Sequence, residues 1–287
     1  MTLATVRLGW RIQRSELLWV LAIVIAIALG IAVTSVGMLS ILAKDPVCAA
    51  DLDKAGCTGL IRQVAGWEQT LGTLVMLLWV MPIVLGSVVG VGVTAGELER
   101  GTARWSWALA RSRAHWLVVR VVPAALAVAV LLSMLAFVAE LGVRARLGSA
   151  DAGFNDYQLR SLLLPMRGLL AFAIGLVVGL GLGRSLPAVL IAIGFGAAVT
   201  MGHLLIAETW QVLEATFVTL DDLALTTNHP MIVGTRAPFP GAQGDGLLII
   251  PATAYWSWVL REGVLLAVAI GVVSILVRGL VDRQSPR

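Results

Sequence analysis

Six apolar runs, each long enough to cross a bilayer as a helix, organise the chain. A hydrocarbon core of about 30 Å needs roughly 20 apolar residues in helical form. Leu17 to Ala43 satisfies this without a single charged residue. The run is too long for the apolar core of a signal peptide, so it reads as a retained first span. The second span is expected over 70–95, the third over 116–139 and the fourth over 162–183. After a short break at Arg184-Ser185, the fifth follows over 186–207, and the sixth over 258–277. The pattern predicts one all-α membrane domain over residues 1–287, with a large external segment at 208–257. Within that segment 208–225 has helical content. Gly246 to Pro251 is too short to span and would dip into a leaflet or pack on helix ends.

Composition supports the same class. Of 287 residues, 59% are hydrophobic and 13% charged, against roughly a quarter charged in soluble domains. Mean hydropathy is +0.91. A soluble fold of this size could not cover its surface with so few charges.

The distribution of charge sets an expected orientation. With the N-terminus inside, 12 of the 21 basic residues fall on the cytoplasmic side, with only four of the 17 acidic ones. This is the positive-inside bias. It accounts for a pI near 9.7 without any nucleic-acid partner. Both termini are therefore expected in the cytoplasm of a multi-pass cell-membrane protein, surrounded by lipid.

Little in the chain points to chemistry of its own. Neither lysine, Lys44 or Lys54, sits in a Gly-Lys-[Ser/Thr] phosphate loop. No metal-ligand spacing or nucleophile elbow is present, so no catalytic or metal site is assigned. The spans look nearly free of ionisable groups. Arg120 and Arg167 lie near span ends, where they could snorkel, and His203 reads as a hydrogen-bonded packing residue. Cys48 and Cys57, nine positions apart in the first external loop, are expected to form a disulfide if the chain turns near Gly56; two free thiols are the alternative.

Packing and interface signals are clearer. Gly86 and Gly90, and then Gly175, Gly179 and Gly183, recur every four residues, the spacing that lets membrane helices approach closely. Arg7, Arg11 and Arg14 share one face before the first span, beside Trp10, which suits a helix lying in the inner interface. The connection from Gly96 to Arg113 combines both charge signs with tryptophans. Trp105 pairs with Leu109 at i, i+4, and Ser112 suits a helix N-cap. That describes an amphipathic helix able to dock a cytoplasmic partner.

The run Glu97 to Leu117 resembles the E-x-E-x-G-T…S-R-x-x-W-L segment of permease subunits of type-2 ABC exporters, especially actinobacterial ones. Arg167 to Pro187, and Pro251 to Trp256 before the last span, are similar to the same family. The resemblance implies a six-span permease that pairs with a second permease, identical or homologous, and with cytoplasmic ATPase subunits. Those subunits would carry ATP and Mg; this chain would hold no cofactor. It further implies an ATPase-coupling role for Glu97, Glu99, Arg100, Gly101, Thr102, Arg104, Trp105, Arg111 and Arg113, alongside the interfacial Arg7, Trp10, Arg11 and Arg14. The expected cargo is amphipathic or hydrophobic: a peptide antibiotic, drug or lipid. A membrane-embedded lipid- or peptide-processing enzyme and a non-transporting scaffold or sensor are the alternatives.

Overall fold

The computed structural model describes residues 3–44, 58–101, 113–147, 154, 156–219, 230–236 and 246–283. In hydrocarbon every backbone N–H and C=O must bond within the protein, and a helix does this locally. The apolar runs accordingly form six long helices: α1 (Leu3–Leu42), α2 (Thr58–Glu99), α3 (Arg113–Leu147), α4 (Leu163–Leu182), α5 (Ser185–Glu214) and α6 (Tyr255–Arg283). Among the described residues these six are the helices long and apolar enough to cross a membrane. The protein is an all-α membrane protein.

The helices exceed the apolar runs at several ends. α2 begins twelve residues before the expected second span, and α3 runs on to Leu147. At 42 residues α2 is about 63 Å long, twice a bilayer core. The N-terminal segment is not a helix separate from the first span. Arg7, Trp10, Arg11 and Arg14 belong to α1, which enters the first span without a break. The reason is local: Arg11-Ile12-Gln13-Arg14-Ser15-Glu16 contains no glycine or proline to end a helix.

α4 is the hub. At 20 residues it matches one bilayer core, and 14 of those residues are buried against neighbours on several sides. It packs on α2, α3, α5 and α6, most extensively on α2. One apolar core joins α1, α2, α3 and α4 through Ile31, Leu78, Leu132, Leu164 and Phe172. A second joins α4 to α5 and α6 through Leu170, Ala188, Trp258 and Leu266. α5 is the opposite of α4: of its 30 residues only Ala188, Ala192, Gly196, Ala207 and Gln211 are buried.

The α2–α4 contact is a backbone seam. A Cβ on Gly175 would lie 2.7 Å from the Ser87 carbonyl oxygen. Side chains on Gly86 and Gly90 would strike the carbonyls of Gly168 and Phe172, and one on Gly179 would strike Thr94 Oγ1. Gly183 differs from these four. It ends α4 in the left-handed region (φ 63°), and its N–H bonds the Gly179 carbonyl at 3.0 Å, so it acts as a C-cap rather than a packing glycine.

A small sheet sits beyond α5. β1 (Thr216–Thr219), β2 (Met231–Arg236) and β3 (Gly246–Ile250) are antiparallel in the order β1-β3-β2. Thr216 faces Ile249 and Met231 faces Ile250, with a bulge between Ile232 and Gly234. One expectation changes here. The helix expected over 208–225 stops at Glu214, where Thr216-Phe217-Val218-Thr219, β-branched and aromatic, favours a strand. Gly246 to Ile250 is the central strand of the sheet, with Leu247 to Ile249 between two partners, and its buried Ile250 packs on the helix ends, the second of the two placements expected for this run.

Candidate functional site

Two polar sites stand out, at opposite ends of α5. The first lies where α2 ends and α4 turns into α5. The Arg100 and Gly101 N–H groups bond the carbonyls of Gly96 and Leu98 at 3.4 and 3.2 Å. Gly101 adopts φ 69°, a left-handed conformation that glycine takes without the strain a side chain would bring. Across the gap, Arg184 is extended (φ −127°, ψ 127°) and gives α5 no side-chain cap. The first N–H groups of a helix have no intrahelical partner. Glu99 supplies one from α2: its Oε2 accepts the Ser185 N–H at 3.0 Å and also the Ser185 hydroxyl. A carboxylate at a helix N-terminus also meets the positive end of the dipole. The two Ser185 hydrogen bonds, with Arg184 and Arg100 nearby, hold the Glu99 carboxyl below the ordinary glutamate range. We call this contact the clasp.

Of the other residues expected in the connection, Glu97 lies in the last turn of α2 and Arg113 opens α3. Thr102, Arg104, Trp105 and Arg111 lie outside the described residues, as do Cys48 and Cys57. Arg120, placed near a span end, has its guanidinium 5.1 Å from the Trp116 ring centroid.

The second site, at the sheet end, corrects the reading of the spans as nearly free of ionisable groups. Glu262 on α6 is completely buried, and Arg167 on α4 is only 4% exposed, so Arg167 does not snorkel. Glu262 Oε1 accepts the Tyr157 hydroxyl at 2.5 Å. Its Oε2 lies 3.1 Å from His203 Nε2 and 3.9 Å from Arg167 Nη2. The Tyr157 oxygen in turn accepts Gln158 Nε2 at 3.1 Å and Gln211 Nε2 at 3.0 Å. Burial, then the nearby Glu262 charge, pushes the Tyr157 hydroxyl far up, so it remains a donor. Arg167 donates through Nη1 and Nη2 to the carbonyl and side-chain oxygen of Gln158, both at 3.0 Å, and stacks 5.4 Å from the Trp79 ring centroid.

Buried charge in an apolar setting persists only when paired and hydrogen-bonded. This network ties α4, α5, α6 and the 3-10 turn Tyr157–Leu159 together. Two more ion pairs flank it. Arg160 makes a bidentate pair with Glu140 at 2.6 and 2.7 Å, and Arg261 on α6 meets Glu214 on α5 at 2.5 Å. Among the described residues no group of three His, Cys, Asp or Glu side chains could hold a metal ion. Each segment contributes isolated polar residues with no motif linking them, which is why spacing did not reveal the network. The available signal was a pair of opposite charges inside two apolar runs, which in a membrane protein implies a partner.

A family model described as ABC-2 membrane transporter related matches residues 21–207. The match takes in both partners of the clasp and the whole α2–α4 seam; it leaves out the sheet, Gln211 and α6. No curated protein and no solved structure matches the chain.

Proposed function

The chain belongs to the ABC-2 membrane transporter related family, and from that premise we propose that it is the permease subunit of an ATP-driven exporter. Family membership makes it a membrane transport permease and implies partnership with ATPase subunits. The finer reading is that two cytoplasmic ATPases bind and hydrolyse ATP with Mg, while this chain and a second permease form the path. The cargo is amphipathic or hydrophobic, a peptide antibiotic, drug or lipid. The chain is not an enzyme by itself, since its sequence offers no phosphate loop to cradle nucleotide.

The observation that carries this reading is the match over residues 21–207, which takes in the second half of α1, all of α2 to α4 and most of α5. The turn end supports it. The connection that follows Glu99 carries arginines on what the charge bias makes the cytoplasmic side, and the clasp links the start of that connection to α5. A transporter of this kind is a two-state system whose equilibrium nucleotide binding shifts. The connection is where that bias enters.

The test is co-expression of the full chain with candidate P-loop ATPases, followed by purification in detergent and reconstitution. A stoichiometric ATPase that hydrolyses ATP faster with the permease than alone supports the proposal. Failure of any such ATPase to bind, with the chain folded and in the membrane, overturns it.

A further inference from the structure

The clasp and the buried network grip the same helix at its two ends. Between them α5 touches the bundle along one narrow stripe. Its buried residues are three alanines and one glycine, with Gln211 inside the network itself. These small residues let α5 lie close to the bundle along one narrow stripe, with Val189, Val199 and Trp210 packed beside it, while the rest of its surface lies outside the bundle. At the sheet end, His203 and Gln211 bond Glu262 and Tyr157, and Glu214 meets Arg261. At the turn end, α5 is tied to α2 by Ser185 and Glu99. α2 is itself bound to α4 by a glycine seam in which backbone touches backbone. α2 and α4 are therefore held backbone to backbone, whereas α5, bound along one stripe and gripped at its ends, is the helix placed to tilt when its turn end is displaced.

We infer that Glu99 is a positioning residue that drives α5 through Ser185, with the Glu262 network as the pivot at the far end. This rests on the permease reading and deepens it. In this arrangement the Glu99 carboxylate does not dock the ATPase. It converts displacement of the 96–113 connection into a tilt of α5, whose exposed apolar face, including Leu186, Leu190 and Phe195, sweeps against whatever lies beside it.

Ser185→Pro isolates the contact. Proline at the first helical position is compatible with a helix because that N–H has no intrahelical partner. It also favours an extended preceding residue, which Arg184 already is. The substitution removes both donors to Glu99 and leaves α5 able to form, whereas Ser185→Thr keeps both donors. Spin labels at Leu18→Cys on α1 and Leu190→Cys on α5, both exposed, are introduced in a chain carrying Cys48→Ser and Cys57→Ser. The complex with its ATPase is compared without nucleotide and trapped with ATP, Mg and vanadate.

The expected result is a trapping-dependent change in the α1–α5 distance with Ser185 or Ser185→Thr. That change is lost in Ser185→Pro and in Glu99→Ala, while the ATPase still co-purifies with Ser185→Pro. A shift that survives in Ser185→Pro overturns the inference, as does a Ser185 chain that shows no shift. Loss of the ATPase from Ser185→Pro alone would also overturn it, by placing the clasp in docking. Absence of an ATPase from the unsubstituted complex is a different outcome: it removes the permease reading on which the inference stands.

Discussion

At Gly90 a single hydrogen in place of a methyl group decides whether two helices can meet. A Cβ there would press on the Phe172 carbonyl, with the carbonyl carbon at 3.0 Å. Backbone cannot swing aside as a side chain end can. Gly90→Ala is expected to destabilise the protein by at least the ~1–3 kcal/mol of ordinary overpacking. Gly72→Ala, in the same helix with nothing within 4 Å, should be neutral or stabilising by up to ~1 kcal/mol, since alanine is the better helix former. Thermal unfolding in detergent compares the two; equal effects would refute the seam. Glu262 gives a second residue-level test. Glu262→Ala leaves Arg167 and the Tyr157 hydroxyl buried without their carboxylate. The expected loss is ~3–5 kcal/mol, the cost of breaking a buried pair by removing one partner. Glu262→Gln keeps a side-chain acceptor and should lose less. Midpoints of unfolding for the two variants measure this, and a Glu262→Ala protein as stable as the unsubstituted one would show that the network contributes nothing.

Among elements, α4 and α5 contrast most. Both are apolar and they are joined through Gly183 and Arg184, yet one is enclosed and the other nearly bare. The difference lies in their neighbours, not in their hydrophobicity. The clasp adds a pH dependence to this pair. The Glu99 carboxyl is held below its ordinary range by the Ser185 hydrogen bonds. A carboxyl with a depressed folded-state pKa stabilises the fold above its unfolded value, and the contribution disappears as pH falls through the folded one. The clasp is therefore fully formed at neutral pH and opens only below the ordinary glutamate value of about 4.3. Following the α1–α5 label distance from neutral pH downward should reveal the opening in acid. Glu99→Gln, which has no carboxyl to protonate there, should remove that transition.

The whole molecule has an orientation that labelling can test. The arginine bias predicts that both termini and the 96–115 connection are cytoplasmic and residues 208–257 external. Single cysteines at Ala103 and Gln243, in a chain without Cys48 and Cys57, should report this on intact cells with a membrane-impermeant thiol reagent. Labelling at 243 and protection at 103 is the expected outcome; the reverse pattern would invert the protein, and with it the cytoplasmic assignment of the clasp. The broad apolar surfaces of α1, α3, α5 and α6, with Trp19, Phe137, Leu186 and Ile275 exposed, are the faces that the proposed permease role assigns to lipid and a second permease.

What the chain alone determined is what depends on local chemistry. Six charge-poor runs of sufficient length must become helices in a bilayer, because unpaired backbone is prohibitive there, and this established the membrane class, the number of spans and their order. Gly86, Gly90, Gly175 and Gly179 were visible from spacing, since close approach requires small residues in register. The tertiary structure decided which residues meet across long separations. Glu99 and Ser185 are 86 positions apart, and Tyr157 and Glu262 are 105 apart. No period or motif encodes such pairs. They arise only when helices whose packing is set by their apolar faces bring single polar side chains to the same place. The sheet beyond α5 belongs to the same category: short strands become stable by pairing with one another, and that pairing is a fact of three dimensions.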